Sequence, residues 1–257
     1  MKKKRPLILI SNDDSYEAPG LYHLIDCISH LGDIVAVAPA EPHSGQSSAI
    51  TVNNPLRMTL VHNYKGTPVY AVTGTPVDCV KLASHVLFKG RQPDLMLSGI
   101  NHGSNSGVSV IYSGTMGAAM EACINGIPAI GYSLLSHSMD ADFSETTRFI
   151  VAITEAILGN GLPEGICLNV NFPAKCKILG SKVTRAARGR WTEEYADYTD
   201  PHGRPFYYLT GHFDNAEPDN AETDEYWLER GYATIVPVRP DQSASDVIGP
   251  LSGLATD

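Results

Sequence analysis

Asp13 and Asp14 stand side by side directly after a short apolar run, Ile8–Leu9–Ile10, and two adjacent carboxylates at the end of such a run pose a chemical problem. In a low-dielectric pocket their repulsion lifts a pKa or demands a countercharge, which a divalent cation supplies compactly. A solvated or helix-capping acidic turn would satisfy the same pair. Further along, the stretch YSGTMG (112–117) sets Ser113, Gly114 and Thr115 at the opening of a helical pattern. Free backbone N–H groups, the positive end of the helix dipole and two hydroxyls make an anion site there, with phosphate its natural guest. A plain helix cap from Ser113 or Thr115 is the alternative.

The elements that would hold these residues follow from hydrophobic periodicity. Apolar runs at Ile8–Ile10, IVAVAPA (34–40), PDLMLSGIN (93–101) and IPAIGYS (127–133) alternate with helical patterns, the form of βαβ units around a parallel, doubly wound sheet. The first helix carries Leu21, Leu24, Ile25, Ile28 and Leu31 on one face and ends at Gly32. Another opens on Thr75 as N-cap, with Pro76 in the first turn and Asp78 as an N-terminal charge. The helix after Ser113 ends at Gly126, and a last one presents Phe149, Ile153, Ala156 and Ile157. Beyond it ICLNVNFP and KILGSKVTRAARG read as strands, and EEYADYTDPHGRPFYYLTG reads as an aromatic hairpin turning at Pro201–Pro205. An acidic loop, a short helix and a final strand complete the chain. An isolated hairpin is marginal in water, so this one needs a surface to lie on: another subunit or its own domain.

In an open parallel sheet ligands bind beyond the carboxyl ends of the strands, so the residues that follow each strand share one surface. Those residues are Asn12, Asp13 and Asp14; then His43, Ser44 and Gly45; then Asn101, His102, Gly103 and Ser104. Two carboxylates, a hydroxyl and an amide oxygen are hard donors of the kind Mg²⁺, Mn²⁺ or Ca²⁺ takes. None of the nine histidines falls in a zinc-protease spacing. His102 is placed either to protonate a leaving oxygen or to serve as a hydrogen-bond post. GINHGSNSG fits neither a P-loop nor a dinucleotide fingerprint, and G-x-S-x-G is absent, which removes support for NTP hydrolysis, hydride transfer and serine hydrolysis. Metal-assisted phosphoryl chemistry is what a cation beside a phosphate-binding helix start would perform.

Bulk properties agree with a folded α/β protein of 257 residues, 43% of them hydrophobic and 18% charged. A net charge of −9 argues against a nucleic-acid polymer as partner. Cys27, Cys79, Cys123, Cys167 and Cys176 are odd in number and show no C-x-x-C, as expected of core residues in a reducing compartment. The basic start at Lys2–Arg5 reads as a solvated end rather than a targeting signal, and no run approaches the ~20 apolar residues of a membrane span, so a cytoplasmic location is expected.

Four blocks in fixed order, ILISNDDSYEAPG, VAPAEPHSGQSSAIT, GTPVDCV and LSGINHGSNSGVSVIYSGTMGAAMEA, resemble the SurE (survival protein E) family of metal-dependent nucleotide phosphatases, a likeness extending over essentially the whole chain. The resemblance implies a single domain over 1–257. Residues 1–165 would be a Rossmann-like core bearing the site, and 166–257 the C-terminal strands, protruding hairpin and oligomerisation elements of a homodimer or homotetramer. It further implies one divalent cation per subunit, Mn²⁺, Mg²⁺ or Co²⁺, held by Asp13, Asp14, Ser44 and Asn101, with Asp13 and Asp14 also catalytic. Phosphate contacts would fall on Asn101, Ser113, Gly114 and Thr115. Nucleoside monophosphates are the implied substrates, at the 5′ and also the 3′ position, and some members shorten polyphosphate. Two departures stand out: Ser15 occupies a turn position where many members carry Gly, and His43 stands where a basic residue often precedes Ser-Gly. Two alternatives remain beside the metal-activated water. One is an aspartyl-phosphate route, which usually needs D-x-D, and the other a non-catalytic nucleotide-binding module on the same fold.

Overall fold

The computed structural model describes residues 5–138, 140–174 and 177–255; Lys2–Lys4 and Cys176 lie outside them. In chain order the first half runs β1 (Leu7–Ser11), α1 (Pro19–Ile28), β2 (Asp33–Pro39), β3 (Met58–Tyr64), β4 (Thr67–Val72), α2 (Pro76–Val86), β5 (Leu95–His102), α3 (Gly114–Ile124), β6 (Ala129–Leu134) and α4 (Thr147–Asn160). The second half runs β7 (Cys167–Phe172), β8 (Ser181–Val183), β9 (Gly189–Thr192), β10 (Tyr195–Thr199), β11 (Pro205–Leu209), β12 (His212–Asn215), α5 (Asp224–Glu229), β13 (Ala233–Val238) and α6 (Ile248–Leu251).

Nine strands form one sheet in the order β3-β4-β2-β1-β5-β6-β7-β13-β8. β1 pairs in parallel with β2 and with β5, so Ile8–Ile10 lie at the centre and are wholly buried. Strands covered on both faces read as continuous apolar runs, which is why the central ones were legible. One apolar layer joins the sheet to α1 and α4, and a second joins it to α2 and α3. The doubly wound α/β architecture expected of the sequence is present.

Several details differ from expectation. β3 and β4, which are not among the elements expected from the sequence, form an antiparallel hairpin that ends the sheet; β3 is mostly exposed and so shows no hydrophobic alternation. α1 stops at Ile28 rather than running to Gly32. In α4 the buried residues are Ile150 and Thr154, with Phe149, Ile153 and Ile157 half-buried beside them and Ala156 exposed. Thr154 is drawn inward because its hydroxyl meets the buried Tyr132 hydroxyl at 3.1 Å. Arg5 is tied down, with an ion pair to Asp33 and a hydrogen bond to the Gly32 carbonyl.

The C-terminal hairpin is longer than the aromatic stretch alone suggests. β9 pairs with β12 at its root and β10 with β11 at its tip, and Tyr195, Tyr198, Tyr207, Tyr208 and Leu209 are exposed along the tip. At the turn Asp200 accepts from the His202 and Arg204 backbones and pairs with the Arg204 guanidinium at 2.8 Å. The four described cysteines are free and buried. Among the described residues no helix is long and apolar enough to cross a membrane.

Candidate active site

β1 delivers Asp13 and Asp14 to the carboxyl edge of the sheet, and a tight turn redirects the chain into α1. Asn12, fully buried, donates its amide N–H to the Ser15 carbonyl at 2.8 Å, and Tyr16 N–H reaches the Pro39 carbonyl at 2.9 Å. Between these anchors Ser15 takes φ +87°, the left-handed conformation that Gly adopts more cheaply. The turn is therefore built despite the serine.

Asp13 is only 3% exposed and points at the first turn of α3, where the Thr115 hydroxyl donates to its Oδ1. Gly114 makes that approach possible, since a Cβ there would lie 2.8 Å from Asp13 Cβ and 3.0 Å from Oδ2. Burial above all, and then the charge of Asp14, push the Asp13 carboxyl up to about 7, against hydrogen bonds from Thr115 that pull it down. Asp14 is half-buried and raised by the same desolvation; the His102 N–H, which reaches its Oδ2 at 3.1 Å, and the charges of His102 and His137 act the other way. No Lys or Arg forms an ion pair with either aspartate among the described residues.

Two further segments frame the pair. The loop after β2 is latched at one end by His43 N–H on the Asp13 carbonyl at 2.7 Å. At the other end Ser47 donates its N–H to the Tyr112 carbonyl at 3.0 Å and its hydroxyl to the Ile111 carbonyl at 2.6 Å. Ser44 lies exposed between these latches. His43 meets Gln46 Oε1 through Nδ1 at 2.8 Å. At the end of β5, Asn101 is 8% exposed and gives its amide N–H to the Gly103 carbonyl at 2.9 Å, which leaves Oδ1 as its other polar atom. His102 Nδ1 lies 3.0 Å from the Ser138 carbonyl, so that nitrogen carries a proton, while Nε2 is buried without a protein partner.

Thus the strand ends bring Asp13, Asp14 and Asn101 to one edge of the sheet, with the Ser44 loop latched beside Asp13 and α3 pointing into the same place. Ser113 caps α3, its hydroxyl accepting from Met116 N–H at 3.0 Å, and Thr115 is committed to Asp13. The start of α3 therefore already faces an anion, the Asp13 carboxylate. His137 was not anticipated: its ring packs on Gly103, with Cε1 2.6 Å from where a Cβ would sit. It follows β6, and extending the strand-end rule to that strand would have found it.

The donor set fits a hard divalent cation: two adjacent carboxylates with no Lys or Arg ion pair among the described residues, neutral hydroxyl and amide oxygens on neighbouring strand ends, and an orphaned buried oxygen, Oδ1, on the preceding residue Asn12. Among the described residues no group of three or more His, Cys, Asp or Glu is placed to hold a metal, so a cation here would rest on two acids completed by neutral oxygens.

Comparison with known proteins decides the family. The model of "Survival protein SurE" matches residues 8–193 of the chain. The chain belongs to the SurE family. Among curated SurE proteins it is 49% identical over 257 residues to the "5'-nucleotidase SurE" of Christiangramia forsetii, covering 98% of each chain. It is 47% identical to the protein of the same name from Phocaeicola vulgatus, covering 98% of this chain and 97% of that one. The crystal structure of the SurE protein from Aquifex aeolicus superimposes with a TM-score of 0.84 at 36% identity, covering 97% of this chain and 99% of that one.

Proposed function

We propose that this SurE protein is a divalent-metal-dependent nucleoside monophosphate phosphatase, a 5′-nucleotidase that also accepts 3′-nucleotides and short polyphosphate. One observation carries the reading: the buried Asp13, with the half-buried Asp14 beside it and no Lys or Arg ion-paired to either among the described residues, faces the start of α3, in a chain whose relatives are named 5′-nucleotidases. Asp13, Asp14, the Ser44 hydroxyl and the Asn101 amide oxygen would hold Mn²⁺, Mg²⁺ or Co²⁺. When bound, such an ion neutralises phosphate charge and lowers the pKa of a water.

The remaining work falls to side chains of the chain itself. Thr115 fixes Oδ1 of Asp13 and leaves Oδ2 against Gly114, while the His102 backbone N–H fixes Oδ2 of Asp14. The phosphate would lie against Asn101 and the Ser113–Gly114–Thr115 turn, where the dipole end of α3 favours negative charge. Asp13 and Asp14 orient the attacking water. His102, whose Nε2 has no protein partner among the described residues, would in its doubly protonated form give a proton to the leaving ribose oxygen. We place this chemistry in the cytoplasm and assign the exposed aromatic hairpin tip to assembly of a homodimer or homotetramer.

The test is phosphate release from 5′- and 3′-nucleoside monophosphates and short polyphosphate, in EDTA and with Mn²⁺ or Mg²⁺ restored, for the wild type, Asp13→Asn and Asp14→Asn. Release that returns with metal and vanishes in both variants is expected. A folded protein that binds metal and nucleotide yet releases no phosphate would instead be a binding module.

A further inference from the structure

The chain carries a second pair of acids withdrawn from water, far from the first in sequence. Asp224 is 0% exposed at the start of α5. Its Oδ2 accepts from Gly107 N–H at 2.8 Å, and its Oδ1 from Ala187 N–H at 2.8 Å and Glu225 N–H at 2.9 Å. Next to it, Glu225 accepts from the Ser106 hydroxyl, which in turn meets Ser104. No Lys, Arg or His forms an ion pair with Asp224 or Glu225 among the described residues.

What these acids grip is the segment that builds the active site. Gly107 sits at φ +52° and opens a 3-10 turn over Gly107–Ile111, with the Phe213 ring at the root of the hairpin only 2.9 Å from where its Cβ would be. That turn leads without a break through Tyr112 to Ser113, the cap of α3, and the Ile111 and Tyr112 carbonyls are the acceptors that hold Ser47. A shift at Gly107 therefore reaches the Ser44 loop on one side and Thr115 with Asp13 on the other. On its upstream side the segment continues to Asn101 through residues 104–106, where Asn105 is locked by Asn171 Oδ1 on its N–H at 2.9 Å and by its own amide on Ser133 at 2.7 Å.

We propose that Asp224 is a positioning residue for the active site, acting through Gly107 on the segment that sets the Ser44 loop and the first turn of α3. It does not touch the substrate. The proposal rests on the metal-dependent reading above. It makes the root of the C-terminal hairpin part of the catalytic apparatus rather than an appendage to it.

Asp224→Asn is the discriminating variant. The amide keeps the shape and best keeps its two bonds to Ala187 and Glu225 with its oxygen, which turns N–H against N–H at Gly107. The experiment titrates Mn²⁺ by electron paramagnetic resonance and measures kcat and KM for AMP at saturating Mn²⁺, with thermal unfolding followed in parallel. The expected result is a folded variant whose Mn²⁺ Kd rises about tenfold and whose kcat falls about tenfold, the effect typical of groups that support a metal site, with KM little changed. A folded variant with a lowered Tm but wild-type Mn²⁺ affinity and kcat would reduce Asp224 to a structural anchor and overturn the proposal. If Asp224→Asn does not fold, Phe213→Leu decides: it loosens the packing on Gly107 without touching a polar group, and about a threefold change in the same two quantities is expected. Wild-type values in that variant overturn the proposal equally. A wild-type protein that binds no Mn²⁺ and releases no phosphate sinks the metal-dependent reading itself, and this inference with it.

Discussion

Asp13–Asp14 and Asp224–Glu225 place the same two charges on adjacent residues, both pairs drawn out of water and both without a Lys or Arg partner among the described residues. They differ in how their oxygens are occupied. Asp224 takes three direct backbone N–H bonds and Glu225 a hydroxyl, which is how a buried carboxylate is held without a counter-ion. Asp13 takes the Thr115 hydroxyl, with the backbone N–H groups of Thr115 and of Asp13 itself acting more weakly, and has a like charge beside it, and Asp14 has one backbone N–H. Each ionised carboxylate offers about four lone-pair sites, so Asp224 is nearly filled by direct bonds while Asp13 and Asp14 are not. Adjacent acids alone mark nothing; adjacent acids with unspent oxygens mark a place for a ligand.

Neutralising each pair in turn should give opposite results. Asp13→Asn is expected to lower metal-dependent phosphate release by at least about a hundredfold, more than the loss of a supporting group, while leaving the metal-free chain as stable as wild type or more so. Asp224→Ala should cost about 3 kcal/mol in urea denaturation, because it orphans three N–H groups in the interior. Equal stability losses in the two variants would dissolve the contrast.

A proton provides a finer measure of the same contrast. With its folded carboxyl near 7 and an ordinary value of 3.8, Asp13 keeps a proton in the native state across a window where the unfolded chain has lost it. The Asp13 contribution to metal-free stability then falls as pH rises from about 4 to about 7, at up to ~1.4 kcal/mol per pH unit, against an opposite contribution from His23, whose pKa burial lowers. Asp224 and Glu225 are also raised by burial and contribute with the same sign, so Asp13→Asn should flatten the slope towards neutral pH while leaving some of it below. Urea midpoints in EDTA between pH 5 and 8 measure this. An unaltered slope in Asp13→Asn would place the proton elsewhere.

Much of this was legible in the sequence because its determinants are local. The central strands are unbroken apolar runs. α2 announces itself through Thr75, Pro76 and Asp78, and in the structure Thr75 and Asp78 form a reciprocal capping box with Pro76 in the first turn. Applied to β1 and β5, the strand-end rule found Asp13, Asp14 and Asn101. What it could not find depends on partners distant along the chain. Thr115 reaches Asp13 across 102 residues and Gly107 reaches Asp224 across 117, so the acidic stretch around Asp224 read as a loop and Thr115 as a cap or an anion donor. β3 escaped because an exposed edge strand has no buried face to impose a period.

The smallest expected effect tests the turn that carries the first pair. Ser15 holds φ +87° at the cost of left-handed strain, offset in part by its hydroxyl, which accepts from Glu17 N–H at 3.3 Å. Ser15→Gly relieves the strain, loses that long bond and gives the unfolded chain more freedom, so a net stabilisation of no more than ~1 kcal/mol is expected, with phosphate release unchanged. Chemical denaturation of the two proteins side by side measures it. A loss above ~1 kcal/mol would mean that the hydroxyl holds the turn, and that the first acidic pair, like the second, depends on a side chain spent for its support.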